Sequence, residues 1–149
     1  MSDSSPIPSS ARFSSDDNRR TAIRFFEEVW NVRRDQTIDD VLHPSLAGHM
    51  EGAEFTGTDA YKQARAAILS AFPDFQVTVE DTAADGDHVV VRWSARGTHT
   101  GTGLGIAASQ RRVSFRGLTW LTFSGGRVVE GWDSWNQGAL LQSLQAPLV

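Results

Sequence analysis

Apolar residues along this chain keep two different periods, and the change between them falls near Pro73. Before it, Ile23, Phe26, Val29 and Trp30, with Phe25 beside them, form one stripe at helical spacing. Ser15, followed by Asp16 and Asp17, reads as the start of that helix, with acids where the helix dipole is positive. The helix should stop near residues 33–35. A short helical turn over roughly residues 38–42 ends at His43-Pro44, because proline disfavours helical backbone in the residue before it. Residues 45–58 read as irregular or as a short strand. A second long helix is predicted over 57–72, with Tyr61, Ala64, Ile68 and Phe72 on one side and Pro73 as its stop.

Beyond Pro73 the pattern is that of strands. Residues 75–83 and 88–98 flank a turn at Asp85-Gly86-Asp87. A Gly-rich stretch, 97–112, leads into the last third of the chain. There, two runs rich in Val, Phe, Trp, Leu and Thr flank Ser124-Gly125-Gly126-Arg127, a tight hairpin signal, and a short amphipathic tail follows. Residues 1–15, rich in Ser, Pro and Asp, predict a disordered tail, which leaves 16–149 as a single domain. Helices gathered before an antiparallel meander indicate the α+β class, with the helices on one face of a curved sheet.

Composition narrows the function. The chain has 149 residues, 40% of them hydrophobic and 21% charged, which is ordinary for a globular domain. A formal net charge of -4 and a pI near 5.5 argue against a nucleic-acid partner, which needs a basic face. Having no cysteine excludes disulfides, thiol nucleophiles and Cys-ligated metals. The first residues lack the apolar segment of a secretory signal, and no run approaches the ~20 apolar residues of a spanning helix. The expectation is a soluble cytoplasmic protein.

Candidate chemistry centres on Asp133, which stands between Trp132 and Trp135 near the end of the last strand, with Asn136 and Gln137 just behind. A carboxylate among bulky aromatics is what a small apolar pocket needs for proton transfer, since burial raises its pKa toward neutrality. The plainer alternative is a strand-end acid facing solvent or pairing an arginine. Strand alternation places Gly131, Asp133 and Trp135 on one face, but one bulge reverses such parity, so the pattern leaves the pocket face open. Of the four histidines, His43 reads as a helix-end residue and His88 as solvated. His49 and His99 lie in Gly-bearing segments where backbone can approach a ligand, although a structural role suits either equally. No close histidine pair suggests a metal. Arg92 sits in an otherwise apolar strand and needs a partner, Asp133 or a bound oxyanion, unless it faces solvent with Ser94 and Arg96. Gly101, Gly103 and Gly105 have no following helix, so they suggest a mouth loop rather than a dinucleotide site. The tryptophans at 30, 93, 120, 132 and 135 serve either as core or as walls for a flat organic ligand.

Taken in order, FFEEVWN (25–31), His49, AFPDFQVTVED (71–81), GDHVVVRW (86–93), GTHTG (97–101) and GGRVVEGWDSWNQGALLQSL (125–144) are a specific set. The chain resembles the SnoaL-like polyketide cyclase and ester cyclase group of the nuclear transport factor 2-like superfamily. The resemblance implies a cone: about three helices against a strongly bent antiparallel sheet, a cone-shaped barrel enclosing an apolar pocket, as a dimer or larger. It implies acid/base catalysis of an aldol ring closure by a pocket aspartate, without metal or cofactor. The family's usual acid column is occupied here by Asn136, and Asp133 stands three residues earlier. The resulting expectation has Asp133 exchanging a proton at carbon and His99, His49 or Asn136 donating to the enolate oxygen. Arg92 would hold Asp133 or the oxyanion, and Trp30, Trp93 and Trp120 would wall an apolar, carbonyl-bearing substrate. Related members open epoxides with an Asp-Arg-Asp set, to which Arg92 and Asp133 correspond, with Ser94 where the other acid stands. A non-catalytic ligand-binding member is a third alternative. A homodimer is expected through the sheet face free of helices, carrying residues such as Phe115, Leu121 or Trp135.

Overall fold

Ser14, one residue before the predicted cap, starts the first helix, α1 (Ser15–Phe26). Its hydroxyl accepts the Asp17 N–H at 3.0 Å while the Asp17 carboxylate accepts the Ser14 N–H at 3.0 Å, a reciprocal capping box. The computed structural model describes residues 13–145, so the expected tail lies, as far as residue 12, outside the described residues. Past Phe26 the helix widens into a π turn, Glu27–Val32, which ends at Arg33 in the left-handed conformation (φ 67°). From this wider turn Asn31 reaches the sheet, donating to the Val77 carbonyl and accepting the Val77 N–H, both at 2.8 Å.

After α2 (Asp35–Val41) comes a hairpin, β1 (Leu42–Met50) and β2 (Ala53–Thr56), where the sequence suggested an irregular segment or one short strand. The other long helix is α3 (Thr58–Ala71). A meander follows, β3 (Gln76–Asp85), β4 (His88–Thr98), β5 (Arg112–Ser124) and β6 (Arg127–Trp135), then α4 (Gln137–Gln145). The hairpin between β5 and β6 turns on Gly125 (φ 60°) and Gly126 (φ 79°), the left-handed pair that a two-residue turn needs. All six strands join one curved, unclosed sheet in the order β2-β1-β6-β5-β4-β3. It is mixed rather than wholly antiparallel, because β1 runs parallel to β6. Asn31 therefore occupies a peptide unit on an edge strand, β3, that pairing leaves open.

Alternation along the strands defines an inner face toward the helices and an outer one. Val89, Val91, Trp93 and Ala95 of β4 are buried inward, whereas Arg92 and Arg96 are exposed. The core adds Phe25, Val29, Ile38, Phe72, Phe123 and Val128. Leu121 pairs with Val89, so the odd-numbered positions of β5 also face inward. Phe115, Leu121 and Trp135, expected on the uncovered face, consequently lie inside. The outer face instead shows Leu118, Trp120 and Trp132, about half accessible at 48%, 48% and 51%. Among the described residues no helix is long and apolar enough to cross a membrane.

Candidate active site

Between α1, α3 and the inner face of the sheet the side chains leave a cavity of about 260 Å³. That is near the lower end of the ~300–1,000 Å³ usual for small-molecule sites. Its sheet wall is aromatic: Phe115 stacks on Trp135 (centroids 4.9 Å apart, 23°) and meets Trp93 edge-on at 6.0 Å. On the helix side Trp30 lies against Phe75 at 5.4 Å. Gly48 of β1 gives the Phe55 ring its place, since a Cβ there would come within 2.1 Å of Phe55 Cζ.

Asp133 enters this wall from β6, directly opposite Thr119 in register. The Thr119 hydroxyl donates to Asp133 Oδ1 and itself accepts Trp93 Nε1–H at 2.9 Å. Indole N–H can only donate, so it orients the hydroxyl, whose proton is then committed to the carboxylate. Among the described residues no bond is recorded for Oδ2, and the carboxyl borders the cavity. The side chain is half-buried, because the cavity it borders is wide enough for water. Protein atoms otherwise surround it, and this burial raises its pKa above the ordinary 3.8 despite the Thr119 bond, which lowers it. A carboxylate held this way is a base more strongly proton-seeking than one in water.

Two further polar groups face the cavity from α3, Tyr61 and Arg65. The Tyr61 hydroxyl accepts Trp30 Nε1–H at 3.2 Å. Burial, and then the nearby Asp133 charge, push its pKa well up, so it stays a phenol. Arg65 is buried, with Nε donating to the Val29 carbonyl at 3.0 Å and Nη1 to Asp35 Oδ1 at 2.7 Å. The sequence reading placed Tyr61 in an apolar stripe and passed over Arg65. The available signal was the i, i+4 spacing, which puts a phenol and a lone cation on one helix face amid Ala64 and Ile68.

The other candidates scatter. Trp30 and Trp93 line the cavity, each tied by its indole N–H to a hydroxyl. His49 borders the cavity too, but its ring stacks on the exposed Trp132 (3.8 Å, 18°). There it bonds Glu54 and, at 2.8 Å, Glu130; the Glu130 bond is the main reason its pKa is raised. His99 is fully buried against Phe72 and away from the cavity lining, its Nδ1 accepting the Ser109 N–H at 3.1 Å. It latches the β4–β5 loop. Arg92, paired across the sheet with Leu118, is exposed on the outer face, so it touches neither Asp133 nor anything in the cavity. Trp120 is likewise outside, donating to His88 Nδ1 at 3.3 Å. Asn136 caps α4, its Oδ1 accepting the Ala139 N–H at 2.9 Å. Among the described residues no group of three or more histidine or acidic side chains is placed to hold a metal ion.

The SnoaL-like polyketide cyclase family matches residues 20–144. The chain belongs to that family. Several solved structures share the fold of this SnoaL-like protein. A candidate SnoaL-like polyketide cyclase from Jannaschia sp. CCS1 is 25% identical with a TM-score of 0.81, covering 99% of this chain and 100% of its own. AclR of Streptomyces galilaeus, described as a candidate hydroxylase, is 30% identical with a TM-score of 0.79, covering 91% and 86%. IdmH of Streptomyces antibioticus, described as a candidate polyketide cyclase, is 24% identical with a TM-score of 0.75, covering 87% and 99%. No curated protein matches. In this SnoaL-like chain Asn136 is a helix cap, and Asp133 is the acid that reaches the cavity.

Proposed function

We propose that this SnoaL-like protein is an acid/base enzyme of the aldol-cyclase kind, with Asp133 as its proton-transfer group. The observation that carries this reading is that Asp133 is the one carboxylate among the described residues lining an otherwise largely apolar cavity. Asp133 Oδ2 takes a proton from carbon next to a carbonyl, and the C–H electron pair forms the enolate while the carbonyl π pair moves to oxygen. The enolate carbon then attacks a second carbonyl carbon of the same molecule. The alkoxide so formed recovers the proton from the Asp133 carboxylic acid, which leaves the base as it began. The epoxide-opening alternative draws less support, because Arg92 and the Ser94 position lie away from Asp133. A purely ligand-binding role is less favoured by a carboxylate that faces a largely apolar cavity.

The test uses 2-tetralone, a flat apolar ketone, and follows exchange of its α-protons for deuterium by NMR. The native protein should accelerate exchange over buffer, and Asp133→Asn should lose about 10²–10⁴-fold of that rate. Undiminished exchange in the variant, or no acceleration by the native protein, refutes the assignment. For assembly we propose a homodimer through the outer sheet face, supported by the exposed Leu118, Trp120 and Trp132. A solution mass near 16.3 kDa at micromolar concentration would exclude it.

A further inference from the structure

We propose that Tyr61 is the group that meets the substrate's enolate oxygen, so that substrate lies between α3 and β6 with its carbonyl oxygen at Tyr61 and its acidic C–H at Asp133. This rests on the reading of Asp133 as the base. The first support is a hydrogen-bond direction. Trp30 Nε1–H fills one acceptor site of the Tyr61 oxygen at 3.2 Å, and among the described residues no acceptor is recorded for the tyrosine's own proton. A buried hydroxyl with its acceptor side occupied and its donor side open onto a cavity is arranged to donate to whatever fills that cavity. Phe25 and Phe55 pack against the ring at 5.7 and 6.5 Å and hold its position.

The second support is electrostatic. Tyr61 is close enough to Asp133 for the carboxylate charge to disfavour a tyrosinate, and close enough to Arg65 for the guanidinium to favour one. An anion at the Tyr61 hydroxyl therefore meets a repelling charge only while Asp133 is ionised. Once Asp133 has taken the proton from carbon, the repulsion is gone and the Arg65 cation remains. The site's single negative charge thus moves from β6 to the α3 side as the enolate forms, where one preorganised donor and one cation await it. The substrate class this selects is a flat, mostly apolar molecule with an enolisable ketone whose enolate is planar, as a phenolate is.

The probe is 4-nitrophenol, whose absorption separates phenol from phenolate, with 4-nitroanisole as a neutral control of similar shape. Asp133→Asn mimics the protonated acid present with the enolate, and should bind the phenolate at least 10-fold tighter than the native protein does. Adding Tyr61→Phe to that variant should weaken phenolate binding about 10- to 100-fold and change 4-nitroanisole binding less than twofold. Trp30→Phe, which frees the acceptor side of the hydroxyl, should give a smaller loss of the phenolate alone. If Asp133→Asn does not tighten phenolate binding, or no saturable binding is seen, the base assignment falls and this inference with it. If it tightens binding but Tyr61→Phe changes nothing, Tyr61 alone is misassigned. Equal loss of both ligands on Tyr61→Phe means that the ring shapes the cavity and donates nothing, which also overturns the proposal.

Discussion

Asp133→Asn should make the protein more stable at alkaline pH while removing the proposed base. Sterically the change is nearly silent. The Thr119 hydroxyl can keep donating to Oδ1, and the new amide nitrogen takes the place of Oδ2, for which no bond is recorded among the described residues. Energetically it removes a charge that burial disfavours. Because the folded carboxyl titrates above the ordinary 3.8, the ionised side chain subtracts from stability at any pH above its raised pKa. As pH falls through that value the native protein binds the proton first and the penalty shrinks; below the ordinary range it is gone. Each unit by which burial lifts the carboxyl corresponds to about 1.4 kcal/mol, or about 3–5 °C of Tm in a chain this size. Thermal melts of both proteins from pH 4 to pH 9 provide the assay, with the gain in Tm expected to be largest at pH 8–9 and to close toward pH 4. Had Asp133 paired with Arg92, the same change would have stranded a charge at a cost of about 3–5 kcal/mol; the outer-face position of Arg92 removes that expectation. A variant that melts below the native protein at pH 8 refutes the reasoning, as does a gain independent of pH.

Thr119→Val should leave Trp93 Nε1–H without its acceptor and Asp133 without the bond that restrains its pKa. The expected cost is about 1–3 kcal/mol in a denaturant titration, together with a shift of the rising, acid-side limb of the α-proton exchange profile to higher pH, because the base ionises later. His49→Gln should weaken the fold chiefly at acid pH. Its pKa is raised above 6.5, so the pairing with Glu130 and Glu54 contributes fully below that value and fades as pH rises through the raised one. Melts at pH 5.5 and pH 9 that differ from the native protein by the same amount would show that the imidazolium plays no part.

The helices and the β3–β6 meander were legible because their signals are local: Pro73, the Gly125-Gly126 turn and strand alternation each act over a few residues. What was missed depended on partners far away in sequence. The segment around Leu46 became a strand through parallel pairing with β6, and no local spacing announces that. The cavity face of β6 was illegible for a related reason. A bulge opposite Thr122 and Phe123 lets Val128 and Gly131, three residues apart, both face inward, and it sets the parity that brings Asp133 inside. The glycines near His99 misled for a steric reason. A Cβ at Gly101 would lie 1.8 Å from the Ser70 carbonyl oxygen, and one at Gly103 would lie 2.2 Å from that of Ala67. Those glycines let the loop press against α3, and His99 is part of that packing, away from the cavity lining.

The chemistry proposed for Asp133 poses a problem common to proton abstraction at carbon. A base strong enough to act must be kept from water, yet a dry site penalises every charge the reaction needs. Here the same device recurs on two sides, a tryptophan N–H fixing the rotor of a hydroxyl: Trp93 on Thr119 toward Asp133, and Trp30 on Tyr61. Each hydroxyl is oriented by a neutral donor, so neither adds charge to the site. Among the described residues only Asp133 and Arg65 contribute formal charge to the inner wall, one of each sign and on opposite layers of the fold, and the partly solvent-facing His49 stands apart with its own glutamates. Such a site can move one negative charge from sheet to helix without creating a second. That favours reactions whose transition state relocates a charge, as enolisation does, over reactions that must generate one.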